Sequence, residues 1–532
     1  MAERRRVIWK LQSIYSKDAA NMSMCRSRIL LLLGPILLPT VALIAVGVFA
    51  VEPGAQQPSP QTTTPEEALR YDQRGVNLAQ SGDLSAAIEQ FRSAVRLSPN
   101  YAQAWYHLGL AYDQSRKTDE AMDGFEEALR VQPGYVEARY MLADCCRKRG
   151  DFAGELEVLA RVVARAPAFS EAHYNYGLAL KGRDKPQAAV QELRTAVRLS
   201  PENAKYMLAL GVALAEVDRE QAVTVLRQAV QHGADAADAH YNLGLALATN
   251  GDDAAAEQEF NRCLALNEKH GSALRALGVT LLHEGKLEQA ASALRRALDV
   301  VPTDAEAANN LGTVQLRLKD YTGAIISLQR AVELNPNLIK AHANLAQAYQ
   351  RSGRETDAQH ESERVASLTT RLRNRGRAMV EVQSALEEFK AGRTADALSA
   401  LRRAIDLNPD FADAHLELGR IIRRAGGDAN GAIVEFRRVL SIDPECAEAH
   451  YEIGLTLDGA GRKNEALHDY QIAVEMAPCN LNARKALGQA EFNAGQWVLA
   501  ASQLRAVLAL EPENADARRQ FDIAVAQQKT AP

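Results

Sequence analysis

Small residues recur along this chain at a fixed interval, and the pattern of polar and apolar positions around them predicts paired helices. Gly75, Gly109, Ala143, Gly177, Gly211, Gly244, Gly278, Gly312, Ala346, Ala385, Gly419, Gly454 and Gly488 mark a period that is mostly 34 residues. One residue is missing between Gly211 and Gly244, five are added between Ala346 and Ala385, and one is added before Gly454. Twelve positions after many of the small residues stands another, as at Ala87, Ala121, Ala189, Ala256, Ala290, Ala324, Ala466 and Ala500. Four further on comes a large apolar residue, as at Phe91, Phe125, Leu193, Phe260, Leu294, Leu328, Tyr470 and Leu504, and three beyond that often an alanine. The i, i+4, i+7 spacing places all three on one stripe of a second helix. Proline then closes the unit at Pro99, Pro133, Pro167, Pro201, Pro302, Pro336, Pro409, Pro444, Pro478 and Pro512, because it cannot continue a helix.

The small residue on the first helix lets the second approach closely, and the leucine before it, as at Leu108, Leu243 and Leu311, fills the core of the pair. One pair cannot cover its own apolar face, so neighbours must stack. Such stacking predicts a solenoid in which each unit touches only the units beside it.

The segment AWYHLGLAYDQSRKTDEAMDGFEEALRVQP resembles the tetratricopeptide repeat, with Trp105, Leu108, Gly109, Tyr112, Ala121, Phe125, Ala128 and Pro133 at the signature places. The resemblance implies an all-α, right-handed superhelical solenoid of helix-turn-helix repeats, here thirteen units followed by a capping helix at 515–532. Within it, 68–370 reads as an array of nine repeats, 371–377 as a basic linker and 378–514 as an array of four. The arginines of that linker, Arg371, Arg373, Arg375 and Arg377, make it a solvated joint, a hinge or a docking patch. Units around Ala143, Ala346 and Ala385 fit the pattern least well, with Glu155 and Ser362 where small or apolar residues are expected.

Ahead of the repeats, 29–51 is an uncharged apolar run long enough to cross a bilayer, preceded by a basic segment at 1–28. Arg4, Arg5, Arg6, Lys10, Lys17, Arg26 and Arg28 face only Glu3 and Asp18 in that segment, which directs it to the cytoplasm and the repeats to the other side. The run is expected to be one hydrophobic helix, either a transmembrane anchor or a signal peptide. Residues 52–67, rich in Pro, Gln and Thr, read as a flexible linker. The formal net charge of −5 over the whole chain leaves an acidic body, which disfavours nucleic acid as a partner. Six cysteines show no CxxC pair and no disulfide framework, and adjacent Cys145 and Cys146 read as small buried residues on a helix.

Functional expectations follow from the resemblance. First helices of the family line a groove that takes extended peptides or partner helices. Asn175, Asn242, Asn310 and Asn344, two before the small residue, are similar to the asparagine ladder of the O-GlcNAc transferase repeats, and a carboxamide both donates to and accepts from a peptide bond. Asparagine is also a consensus residue there, so a ladder and a solvated side chain stand as alternatives. Tyr106, Tyr140, Tyr174, Tyr241 and Tyr451, with Leu110, Leu178, Leu245 and Leu455, read either as an aromatic and aliphatic floor or as packing within the repeat. His173, His240, His342, His415 and His450 recur one per helix without ligand spacing and read as packing or surface residues, so no metal is expected. No GxSxG, P-loop or dinucleotide fingerprint is present, and no cofactor or small-molecule substrate is expected. The chain reads as a protein-interaction scaffold and not an enzyme, binding proteins or peptides on the non-cytoplasmic side of a membrane. Alternatives are the targeting or substrate-binding arm of a glycosyltransferase-type complex and a chaperone-like envelope assembly factor.

Overall fold

A computed structural model describes residues 66–234 and 236–530, and the expected hydrophobic helix at 29–51 lies outside them. The described residues form twenty-six α-helices and no strand. They comprise α1 (Glu66–Gln80), α2 (Leu84–Leu97), α3 (Ala102–Gln114), α4 (Thr118–Val131), α5 (Val136–Lys148), α6 (Phe152–Arg165), α7 (Ser170–Lys181), α8 (Pro186–Leu199) and α9 (Ala204–Val217). There follow α10 (Arg219–Gln231), α11 (Ala236–Asn250), α12 (Asp253–Leu266), α13 (Gly271–His283), α14 (Leu287–Val300), α15 (Ala305–Arg317), α16 (Tyr321–Leu334) and α17 (Ile339–Arg351). The chain ends with α18 (Glu355–Lys390), α19 (Thr394–Leu407), α20 (Ala412–Arg424), α21 (Ala429–Ile442), α22 (Ala447–Gly459), α23 (Lys463–Met476), α24 (Leu481–Asn493), α25 (Trp497–Leu510) and α26 (Ala515–Thr530). No helix among the described residues is long and apolar enough to cross a membrane.

The small residue sets each pair. A Cβ added to Gly75, Gly109 or Gly244 would stand 2.6–2.7 Å from the ring of Phe91, Phe125 or Phe260. One added to Gly278 or Gly312 would stand 2.5 Å from Leu294 or Leu328. These partners are the large residues of the sequence stripe, and all are fully or almost fully buried. In the unit of Ala143 the corresponding large residue is Leu159, and both are buried. At the other weak units, the Ser362 hydroxyl donates to Ala358 O within its own helix (2.8 Å), and Glu155 is buried with its carboxylate 3.9 Å from Arg147.

The turn inside each repeat obeys a second rule. Seven residues after the small residue the backbone is left-handed, and glycine fills this place at Gly82, Gly150, Gly251, Gly285, Gly353, Gly392, Gly426, Gly461 and Gly495. Arg116, Asp184 and Lys319 adopt it without that freedom. The residue missing after Gly211 is this one, so Asp218 ends α9 and at the same time caps α10, accepting from Gln221 N.

Between repeats, the residue four before the small position donates to the proline carbonyl six residues earlier. Trp105 Nε1 reaches Pro99 O at 3.0 Å, His342 Nε2 reaches Pro336 O at 3.0 Å, and Arg139 Nη2 reaches Pro133 O at 2.8 Å. Ring and guanidinium N–H groups share this reach, which explains why Trp, His and Arg interchange there. The histidines turn their other nitrogen on a carboxylate of the second helix: His173 to Glu192, His342 to Glu361 and His415 to Glu435 at 2.6 Å, His240 to Glu259 at 2.5 Å, and His450 to Asp469 at 2.8 Å.

The expected linker at 371–377 is instead helix. Thr370 stands where ten of the other units have proline, no helix-stopping residue replaces it, and α18 runs unbroken for 36 residues. Its first half is the second helix of the ninth repeat and its second half the first helix of the tenth, packing on α17 and α19 respectively.

The chain forms two compact units, one comprising 66–168 with 412–530 and the other 169–411. This division departs from the expected nine-plus-four arrangement. In the second unit the core is continuous from repeat to repeat, with Leu193, Leu226, Phe260 and Leu294 in one apolar cluster. The first unit corrects the expectation of neighbour-only contacts, because α4 packs against α25. Arg505 pairs there with Asp123, with Glu127 at 3.3 Å and with Glu126 at 3.5 Å, and Arg484 approaches Glu126 at 3.4 Å. Burial pushes the Glu126 carboxyl up, and the two arginines oppose that shift. Leu510 O, among the last carbonyls of α25, accepts from Arg161 (3.1 Å) and Arg139 (3.5 Å), which suits the negative end of a helix. Cys146, buried on its helix as expected, is disulfide-bonded to Cys479 across 333 residues, with Cα atoms 5.9 Å apart, which corrects the reading of the cysteines as lacking a disulfide. Cys145 is free and buried. The last helix, α26, packs on α25 with Ala517 and Ala524 buried.

We expect Gly244→Val to destabilise the array by about 1–3 kcal/mol through overpacking against Phe260. Denaturant titration checks this, and an unchanged midpoint would contradict the packing. A pH effect follows from Glu491, which sits on α24 at a place where most repeats have a core residue, is 2% exposed, and has no partner for Oε2. Burial raises its carboxyl from 4.5 to about 7 against the pull of Arg484. Because the folded value is raised, the stabilisation is complete below about pH 4.5 and is lost as pH climbs through 7. Glu491→Gln should flatten that slope and be the more stable protein above pH 7, by roughly 2–3 kcal/mol, in melts taken across the pH range.

Candidate interaction surface

In the second unit the first helices of successive repeats, α7, α9, α11, α13, α15 and α17, pack side by side. The residue just after each small position therefore forms a row: Leu178, which is 39% exposed, then Val212, Leu245 and Val279, all half-buried, then Thr313 and Gln347. The first four are aliphatic and the last two polar. Equivalent places in the first unit are mixed, with Leu110 and Leu455 beside charged positions. Asp144 is held by Arg147 and by Lys148 (2.7 Å), and Arg420 by Glu452 (2.8 Å) and Glu448. An uninterrupted aliphatic row is thus a property of the second unit.

The asparagines border this row and are less uniform than the sequence implies. Asn175 is half-buried. Asn242 Nδ2 donates to Asp238 O of its own helix at 2.8 Å. Asn344 Nδ2 spans two repeats, donating to Asn309 Oδ1 at 2.9 Å and to Thr313 Oγ1 at 3.0 Å. Asn310 accepts from Asn309 Nδ2 at 3.5 Å. Asn309, which sequence reasoning passed over, is buried and is the junction of this small amide chain. Its signal in the sequence is the Asn-Asn pair that no other repeat has.

Three of the tyrosines, Tyr106, Tyr174 and Tyr241, meet a ring of the next repeat. Tyr174 is 8% exposed and stacks on Tyr206 of the next repeat at 4.8 Å, with the Lys205 amine 4.7 Å over its ring. Tyr241 lies 4.8 Å from His270 and 6.3 Å from Phe260. In the first unit Tyr106 lies 5.0 Å from Tyr135 and 5.8 Å from Phe125, Tyr451 lies 6.3 Å from Tyr470, and Tyr140 is half-buried. Burial pushes the Tyr106 and Tyr174 hydroxyls up to about 12 and raises those of Tyr241 and Tyr451. Tyr106, Tyr174 and Tyr241 thus each meet a ring of the following repeat, whereas Tyr451 meets one of its own.

Among the described residues no group of three or more His, Cys, Asp or Glu side chains could hold a metal ion. Sequence comparison decides the family. The profile described as "Tetratricopeptide repeat" matches 114–168, 156–204, 174–216, 218–271, 275–339 and 382–445, and one described as "TPR repeat" matches 75–115. The chain belongs to the tetratricopeptide repeat family. The search of curated proteins found no match. Among solved structures, MamA 41-end from Desulfovibrio magneticus RS-1 is 24% identical over 32% of this chain and 97% of its own, with a TM-score of 0.30. The APC/C hetero-tetramer Cut9-Hcn1 is 13% identical over 86% and 96%, with a TM-score of 0.35. A monomeric IFIT1 mutant with Gppp-AAAA is 17% identical over 78% and 91%, also with a TM-score of 0.35. None of these overlays bears on what the repeats of this chain bind.

Proposed function

We propose that this tetratricopeptide array is a protein-interaction scaffold that receives an extended peptide or a partner helix along the first helices of residues 169–411. The observation that carries the reading is the row Leu178, Val212, Leu245 and Val279, aliphatic, partly open to solvent and bordered by carboxamides. Aliphatic side chains supply affinity by burial, and amides satisfy the backbone of the guest without selecting its side chains. Chemistry of this kind suits apolar segments presented in extended form, and it asks for no cofactor and no catalytic group.

Two observations support a site on the outer side of a membrane. Residues 29–51 have the length and apolarity of a spanning segment behind a basic flank. A disulfide between Cys146 and Cys479 suits an oxidising compartment. Phage-displayed peptides selected on the full chain should be enriched in aliphatic residues. Leu178→Asp with Leu245→Asp should weaken their binding by about tenfold or more, and Asn242→Ala with Asn310→Ala by a smaller factor. Peptides held equally by the aspartate variant, with its helicity intact, would sink the surface. Alkaline phosphatase fused after Pro532 should be active in the periplasm of a bacterial host, and an inactive fusion would sink the orientation.

A further inference from the structure

Contact between early and late repeats in the first unit differs in kind from contact between neighbours. Consecutive helices meet through alanine, leucine and aromatic side chains, whereas the second and third repeats meet the last two through a set of ion pairs around a small apolar patch of Leu142, Leu481, Ala506 and Leu510. Beyond the Arg505 and Arg484 pairs, Arg149 donates to Glu475 O at 3.2 Å, and Arg161 and Arg165 face Glu511 and Glu513 at 3.5 and 3.7 Å. Asp123, Arg165 and Glu513 lie on the exposed rim of this contact. Salt therefore reaches part of it directly.

At its centre lies one covalent bond. Cys146 is fully buried and Cys479 is 4% exposed. The amide of Cys479 donates to Asp151 Oδ2 at 2.8 Å, while Asp151 Oδ1 accepts from Gly154 N at 2.8 Å, so one carboxylate fastens the turn before α24 to the start of α6. Gly154 has no side chain at the spot where the Cys479 Cβ enters, and a residue with a Cβ there would collide with it. Cys145, next in sequence, is free and buried, and burial pushes its thiol above the ordinary range.

We propose that Cys146 and Cys479 form a redox clasp: oxidised, it holds the early and late repeats together whatever the ionic strength, and reduced, it leaves that contact to its ion pairs and a small apolar patch. Opening is a two-electron exchange with an external dithiol. One thiolate of the dithiol attacks a protein sulfur and breaks the Sγ–Sγ bond, and the second displaces the mixed disulfide. The dithiol leaves as its own disulfide, and two protons complete the thiols of Cys146 and Cys479. Because both sulfurs are buried in the contact, the dithiol reaches them only when the charged contact loosens. The clasp is thus guarded by the ion pairs that it in turn secures.

The full chain supplies the test. Tryptic digestion without reductant should yield peptide 140–147 linked to peptide 464–484, with fragmentation placing the bond on Cys146 and not Cys145. Reduction by dithiothreitol at fixed pH should quicken by about tenfold between about 0.1 M and about 1 M salt, as the Debye length falls from roughly 10 Å to about 3 Å. Arg505→Ala should quicken it at low salt, and Gly154→Val should do so without altering any charge. Hydrogen exchange over 140–155 and 474–484 should stay slow in the oxidised protein at high salt and become fast after reduction. Absence of the linked peptide would overturn the proposal, as would a reduction rate indifferent to salt and to both substitutions, or a reduced protein that stays protected at high salt.

Discussion

Everything in this chain depends on how near two antiparallel helices can come when one of them carries no side chain at the point of closest approach. The phenyl ring of Phe91, Phe125 or Phe260 lies where a glycine Cβ would be, so each ring is packed against backbone, and the distance between helices is fixed by the ring's thickness. Repeating that contact through the chain fixes the tilt of each pair and hence which residues face outward on its first helix. The aliphatic row of the second unit exists because the residue after the glycine is carried round one step from a backbone that cannot move closer.

Much of this was legible in the residues themselves. Register and helix pairing follow from spacing, since the same small and large residues must meet in every repeat. Even the missing residue after Gly211 has a reading: the left-handed position is the one lost, and Asp218 serves both helices. The segment at 371–377 is less legible because its arginines draw attention as a charge run, whereas the decisive feature is an absence, that of any helix-stopping residue near Thr370. The tyrosines mislead in another way. Their periodicity is real, but periodicity cannot distinguish a ring that faces a guest from one that faces the next repeat, and Tyr174 on Tyr206 is of the second kind.

The contact between early and late repeats left no periodic trace at all. Residues that meet across more than 300 positions follow no interval, and six cysteines without a framework do not say which of them pair. In hindsight the charged residues differ from consensus in a coherent manner. Arg139 and Arg484 both occupy the ring-donor position of their repeats, and both extend past the local carbonyl to groups at the other end of the chain. A guanidinium fills the local role of tryptophan or histidine with one nitrogen and has others to spare.

The uninterrupted α18 has a consequence for how such a protein can be remade by duplication and loss of genetic material. Elsewhere a breakpoint in the turn between two repeats removes or copies a whole helix pair and leaves both neighbours with intact ends. Between the ninth and tenth repeats no turn exists, and a cut there would leave two half-helices, each deprived of the other's hydrogen bonds. Any duplication or loss that keeps every helix end intact has to carry those two repeats together, with the five extra residues inside the block.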